Sequence, residues 1–227
     1  MDYTAKINVV RQRIVHACER AGRHADEVKL VAVTKYIGVE ETRALIRSGI
    51  TDLAENRVQV ALPKVKEIHE NVCWHFIGHL QTNKVKDVLP YFQMIHSLDR
   101  FSLAKEIDQR AKKMGIETVS CLVQVNVSGE ATKGGLKPDE VRPFLESLAE
   151  FSSIRVHGLM TMAPRVENPE ETRPVFRRLK ELRDSLQHID FPYVEMRELS
   201  MGMSEDFEVA IEEGATMVRL GSVLVKP

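Results

Sequence analysis

The chain has 227 residues, 43% hydrophobic and 29% charged, enough for one large globular domain or two small ones. Length does not choose, because α/β barrels commonly run about 200 to 250 residues as one domain. Lys plus Arg total 32 and Asp plus Glu 33, a net charge of -1, which argues against a dedicated nucleic-acid binder while leaving local basic patches open.

Cys18, Cys73 and Cys121 are odd in number and widely spaced, so they spell neither a disulfide framework nor a paired-cysteine metal knuckle. A reducing compartment suits them. The N-terminal MDYTAKINVVRQRIV is charged throughout and lacks the apolar core of a secretory leader. No later run approaches the roughly 18 apolar residues of a membrane span, so the expectation is a soluble, cytoplasmic protein. Asn126-Val127-Ser128 matches a glycosylation sequon, which carries no weight without a leader.

In chain order, the segment from about Tyr3 to Ala21 places Ile7, Val10, Ile14 and Ala17 at helical spacing, and Gly22 follows as a stop. Short apolar runs then alternate with longer amphipathic ones. The runs that read as strands are residues 29–35, 51–56, 73–79, 94–98, 120–127, 155–162, 193–200 and 217–224. Between them, Arg100 to Met114 and Pro138 to Phe151 are the clearest helices; Pro138 suits a first turn, and Asp139 and Glu140 suit its positive dipole end. Gly49, Gly115 and Gly214 fall just after helical patterns, where a left-handed cap is wanted.

Such alternation implies parallel strands joined by helical crossovers. About eight units in one chain favour a closed (β/α)8 TIM barrel with an extra N-terminal helix packed over it, expected to be a single domain over residues 1–227. A doubly wound open sheet is the alternative. In a barrel, binding and catalytic groups come from the C-terminal ends of the strands. Lys35 ends the row Val31, Val33, Lys35 on one face of LVAVTKY.

Polar residues occupy the same position in other units: Glu55, Asn56 and Arg57; His79, then Gln81, Asn83 and Lys84; Asn126 and Ser128; Thr161; Ser200 and Ser204; and Arg219, Gly221 and Ser222. A lysine at a barrel mouth can be a Schiff-base nucleophile, a phosphate counter-ion or a general base. It can also be a lysine whose stem packs while its ammonium reaches water.

The segment ELSMGMSEDFEVAIEEG offers Gly202 for close backbone approach, two serine hydroxyls, and a helix expected to start near Ser204. The acidic Glu205 and Asp206 argue that the turn before that helix, rather than its end, would meet an anion. In VRLGS, Gly221 and Ser222 follow the eighth strand, where barrel phosphate sites are often built, while Arg219 could equally be a structural ion-pair partner. His75 and His79 share a strand face, but with no further ligands in view no metal site is expected. SGEATKGGLKP lacks the Gly-Lys-Ser/Thr ending of a phosphate loop and reads as a mobile loop over the mouth.

Taken together, AVTKY (32–36), AENRVQ (54–59), WHFIGHLQTNK (74–84), GLMTMAP (158–164), LSMGMSEDFEVAI (199–211) and VRLGS (218–222) resemble the pyridoxal-phosphate homeostasis proteins, relatives of the barrel domain of alanine racemase. The likeness runs in order from about Lys29 to Val223. It implies a (β/α)8 barrel that holds pyridoxal 5′-phosphate (PLP) as an aldimine of Lys35. It also implies Ser200, Gly221 and Ser222 as phosphate-binding groups, Arg219 at the pyridine nitrogen, and Asn56 and His79 lining the cofactor site. The family usually has glycine where this chain has Ala54, and often a Phe-Gly pair where it has Val225-Lys226-Pro227; neither departure replaces an expected contact.

An arginine only donates, so a ring nitrogen beside it stays unprotonated and PLP is a weak electron sink. In alanine racemases the second base comes from another domain, and this chain ends at Pro227 without residues to build one. The function expected from the resemblance is therefore PLP homeostasis without robust catalysis: a monomer that buffers PLP or passes it to PLP-dependent apoenzymes. The alternative is a small PLP-dependent amino-acid racemase, with His79 as a base. A barrel for some other phosphorylated metabolite is a third reading.

Overall fold

Runs that are apolar on both faces must bury both, and a sheet does so by curling around its own side chains beneath a coat of helices. The computed structural model describes residues 2–130, 132–188 and 190–225. Lys226 and Pro227, part of the departure at the end of the family pattern, lie outside the described residues.

Helix α1 (Thr4–Arg20) precedes the first strand. Then follow β1 (Lys29–Val33), α2 (Val39–Arg47), β2 (Asp52–Glu55), α3 (Val58–Glu67), β3 (Cys73–Phe76), α4 (Val85–Val88), β4 (Met94–Leu98) and α5 (Phe101–Met114). The second half comprises β5 (Val119–Gln124), α6 (Val141–Ser147), β6 (Ile154–Met160), α7 (Arg173–Leu186), β7 (Val194–Ser200), α8 (Phe207–Glu212), β8 (Met217–Leu220) and α9 (Ser222–Val225). The strands are parallel, pair in chain order, and close with β8 against β1, which is the expected TIM barrel.

Alternation within each strand divides the core in two. Outward residues such as Leu53, Phe76, Ile95 and Leu159 join the helices, while Val31, Val33, Ala54, Leu122, Met160 and Met217 fill the barrel interior. The β7–β8 seam is the thinnest, with the single register pair Ser200↔Met217.

The stripe Ile7, Val10, Ile14 and Ala17 of α1 is buried, and the helix lies along α8 and α9 on the barrel's side. Arg13 stacks 4.6 Å over the Phe207 ring and bonds Glu208 at 2.7 Å, and Arg20 bonds Glu212 at 2.7 Å. A cavity of about 420 Å³ lies at the N-terminal end of the strands, lined by Arg11 and Ile14 of α1 and by Lys29, Thr51 and Asp52. Among the described residues no helix is long and apolar enough to cross a membrane.

Three expectations need correction. The last strand ends at Leu220 rather than residue 224, because the chain turns at Gly221 and Ser222–Val225 coils into α9. The helix after MGMS starts at Phe207, not near Ser204; the Met203 N–H donates to Asp206 Oδ1 at 2.6 Å, making Met203–Asp206 a separate turn. The segment 128–138, Ala131 excepted, is tied down: Asn126 Nδ2 donates to the carbonyls of Glu130 (2.9 Å) and Lys133 (3.1 Å), and Leu136 bridges to Val125. Asn126 thus spends its amide on holding a loop.

Candidate functional site

Parallel pairing in register brings the ends of β8, β1 and β2 side by side, so residues far apart in sequence meet at the C-terminal mouth. Lys35 lies two residues beyond β1, half-buried, its Nζ 4.9 Å from the centroid of the exposed Tyr36 ring. The residue before it is fixed from below. The Thr34 N–H donates to the Ala54 carbonyl at 3.0 Å, and the Thr34 carbonyl accepts from Lys64 Nζ at 2.6 Å.

The same ammonium meets Glu55 Oε1 at 2.6 Å, which also accepts the Thr34 hydroxyl at 2.6 Å. Glu55 is 0% exposed and Lys64 3%, so this is a buried ion pair bracing the Lys35 segment. Sequence reasoning placed Glu55 with the strand-end chemistry and missed Lys64.

Asn56 follows β2 half-buried, and the chain after β3 presses against it: a Cβ on Gly78 would lie 2.0 Å from the Asn56 carbonyl oxygen. His79 stands apart on the rim, its side chain 64% exposed and Nδ1 3.8 Å from Asp99 Oδ2. His75, its partner in the HxxxH pattern, is 0% exposed inside the barrel, so the two do not converge on a metal.

Arg219 projects inward from β8 and is 4% exposed. Its Nη1 donates to Ser200 Oγ at 2.7 Å and its Nη2 to the Thr161 carbonyl at 2.9 Å. Burial lowers its pKa to about 10, against the opposing charge of Asp206, so the guanidinium stays charged at neutral pH. Burial in turn raises the Asp206 carboxyl above its usual range, outweighing the Met203 N–H and the Arg219 charge.

Ser200 does not sit with the phosphate-binding groups expected of it. It is 0% exposed, and its hydroxyl is engaged by Arg219 and, at 2.9 Å, by His96 Nδ1. The serine four residues on takes the other position: Ser204 Oγ accepts the Gly221 N–H at 3.2 Å and the Val223 N–H at 3.4 Å. Gly202 makes this turn possible, with φ +92° and so little room that a Cβ there would lie 2.6 Å from the Ala210 Cβ. Two backbone N–H groups, the Ser204 hydroxyl and the neighbouring Ser222 therefore form one polar cradle beside β8.

Of the seven expected residues, Lys35, Asn56, Gly221 and Ser222 lie at the mouth, half-buried, on the adjoining ends of β8, β1 and β2. Arg219 and Ser200 lie one layer below, and His79 is on the rim. This donor set suits an anion with several acceptor oxygens next to a group that accepts from arginine.

The family described as "Alanine racemase, N-terminal domain" matches residues 9–227. A pyridoxal phosphate homeostasis protein of Aquifex aeolicus is 47% identical over 228 residues, covering 99% of this chain and 97% of its own length. The structure of PipY of Synechococcus elongatus with PLP bound superposes with a TM-score of 0.85 at 30% identity, covering 98% of this chain and 99% of its own. An alanine racemase of Clostridium difficile, at 18% identity and a TM-score of 0.72, shares the fold over 94% of this chain and 58% of its own.

Proposed function

The chain belongs to the alanine racemase N-terminal domain family and, within it, to the pyridoxal phosphate homeostasis proteins; on that premise we propose that it binds PLP at the barrel mouth and buffers or delivers it. The carrying observation is the cradle, in which the Gly221 and Val223 N–H groups converge on one serine hydroxyl above a buried arginine. A phosphate brings charge and more acceptors than a hydroxyl, so charge-assisted bonds favour its taking that place. The residues present thus fit the cofactor.

PLP, when bound, supplies an aldehyde that condenses reversibly with a primary amine, water leaving. Lys35 is the primary amine at the mouth that we assign as its anchor. Gly221, Ser222 and Ser204 would hold the phosphate, Arg219 would donate to the ring nitrogen, and Asn56 would line the pocket. The Lys64–Glu55 pair keeps the Lys35 backbone in place.

Arg219 only donates and does not give up its proton at neutral pH, so an acceptor beside it is left unprotonated. That disfavours carbanion chemistry and suits reversible holding. The chain's near-full-length relatives carry the homeostasis name, whereas the likeness to alanine racemase shows fold alone. The same reading makes the working unit a cytoplasmic monomer whose partners are PLP-dependent apoenzymes.

The test is a PLP titration followed by visible absorbance in the wild type and Lys35→Ala, with borohydride reduction and peptide mapping. A new band in the wild type, lost in the variant, and a pyridoxyl group on Lys35 are expected. Labelling elsewhere would reject the anchor. Incorporation of solvent deuterium at the α carbon of amino acids faster than with free PLP would replace carriage by racemisation.

A further inference from the structure

Below the mouth, a line of buried polar side chains crosses the barrel interior. Arg219 Nη1 donates to Ser200 Oγ (2.7 Å), Ser200 Oγ meets His96 Nδ1 (2.9 Å), His96 Nε2 meets His75 Nδ1 (2.9 Å), and His75 Nε2 meets Asp52 Oδ1 (3.0 Å). Ser200, His96 and His75 are 0% exposed, Arg219 is 4% and Asp52 8%. Asp52 also lines the cavity of about 420 Å³ at the opposite end of the barrel from Lys35.

Donor counting gives this line a direction. Arginine can only donate and a carboxylate can only accept, while a neutral imidazole has one donor and one acceptor nitrogen. With Arg219 and Asp52 at the two ends, every member is satisfied in one arrangement. Ser200 donates to His96 Nδ1, His96 Nε2–H donates to His75 Nδ1, and His75 Nε2–H donates to Asp52.

Reversing the line would make Asp52 a protonated donor and leave the Ser200 hydroxyl proton facing two donors. The surroundings oppose this. Burial alone would raise the Asp52 carboxyl, but hydrogen bonds from His75 and Thr51 and the charge of Lys29, 3.6 Å away, hold it below its usual range. Burial above all, with the charges of Arg219 and Lys29, keeps His96 well below the ordinary histidine range, hence neutral.

We propose that Asp52 is a positioning residue for the cofactor site: acting through His75, His96 and Ser200, it fixes the Arg219 guanidinium in the place from which it donates toward the ring of bound PLP. The proposal rests on the reading that PLP binds with its ring nitrogen at Arg219. It also accounts for the ionisable residues buried inside the barrel. Asp52, Cys73 and His75 bring ligand atoms within 4.8 Å of one another, a set a metal could use. The relay, however, places a proton on His75 Nε2, the atom a metal would need.

The test uses Asp52→Asn, whose amide can donate where the carboxylate only accepted, with His96→Gln, their double variant, and Lys29→Met as a control that removes the neighbouring charge but no link. Long-range proton–nitrogen NMR of the cofactor-free wild type should show Nε2–H tautomers for His75 and His96. PLP-loaded Asp52→Asn and His96→Gln should each show a displaced visible band and about tenfold faster loss of PLP, the scale of one hydrogen bond to a charged group. The double variant should be no worse than either single one, because both break one line. Lys29→Met should match the wild type.

A wild-type band and retention in folded Asp52→Asn, or Nδ1–H tautomers in the wild type, would overturn the proposal. If Asp52→Asn does not fold, His75→Gln and His96→Gln carry the same comparison. Wild type that acquires no band with PLP would overturn the cofactor reading and the proposal with it; the tautomers of the cofactor-free protein distinguish that from failure of the relay alone.

Discussion

Replacing Lys64 with methionine keeps the stem and removes the charge. The lost ammonium bonds both Glu55 Oε1 and the Thr34 carbonyl at 2.6 Å, and Glu55 Oε2 has no protein partner. The carboxylate, 0% exposed, would keep only the Thr34 hydroxyl. Breaking a buried pair by removing one partner costs about 3–5 kcal/mol, because the survivor is stranded in a poorly solvating interior. For a chain of this size each kcal/mol lowers the melting temperature by about 2–4 °C, so Lys64→Met should melt roughly 6–20 °C lower. Urea unfolding, followed by far-UV circular dichroism and by the fluorescence of Trp74, the chain's single and buried tryptophan, reads the free energy, and a thermal melt reads the temperature. The companion variant Glu55→Leu/Lys64→Met removes both charges and should recover most of the loss. A loss below about 1 kcal/mol in Lys64→Met, or a double variant as unstable as the single, would refute the reasoning.

Gly78→Ala should be severely destabilised or expressed misfolded, since its Cβ would lie 2.0 Å from the Asn56 carbonyl oxygen; Gly221→Ala, whose nearest neighbours are at 3.5 Å, should melt within a few degrees of the wild type. Thermal melts of the two side by side decide it. Stability should also fall in acid. Glu213 is partly desolvated, which raises its pKa, but hydrogen bonds from Arg177 and Arg173 outweigh this and hold it below the ordinary 4.5. A carboxylate depressed in the folded state contributes stability that is complete above its unfolded value and is lost as pH falls through the folded one. Urea midpoints should therefore hold near pH 6 and drop below about 4.5, with a smaller drop in Glu213→Gln; equal drops would remove Glu213 from the account.

Strand positions were legible because a doubly buried strand carries apolar residues on both faces, and β1 to β7 fall in the short runs between the longer amphipathic ones. The same property hid the relay. In a strand such as MIHSL nothing tells whether His96 or its neighbours face inward, and the polar residue buried among them is visible only once register is known. The run Ser222–Val225 misled because a short apolar stretch serves strand and helix equally. The two serines of LSMGMS could not be ranked without the turn at Gly202, which buries Ser200 under Arg219 and delivers Ser204 to the β8 backbone. Lys64 escaped because a lysine on a helix is ordinarily solvated.

The single register pair joining β7 to β8 makes the barrel less like a uniform ring than a collar with a clasp. The backbone bonds of this seam, Thr216 N–H to Leu199, Met201 N–H to Met217 and Arg219 N–H to Gly202, lie mostly beyond the paired residues. Local opening starts where the regular ladder is short, so amide exchange should begin along this seam. The MGMS turn and the start of α9 both flank it. Across it lies α1, with Arg13 on Glu208 and Arg20 on Glu212, and just after it Arg23 Nη1 donates to the carbonyls of Ile211 and Ala215. The N-terminal helix, an addition to the eightfold pattern, is in mechanical terms the fastener of the joint beside which the cargo would be exchanged.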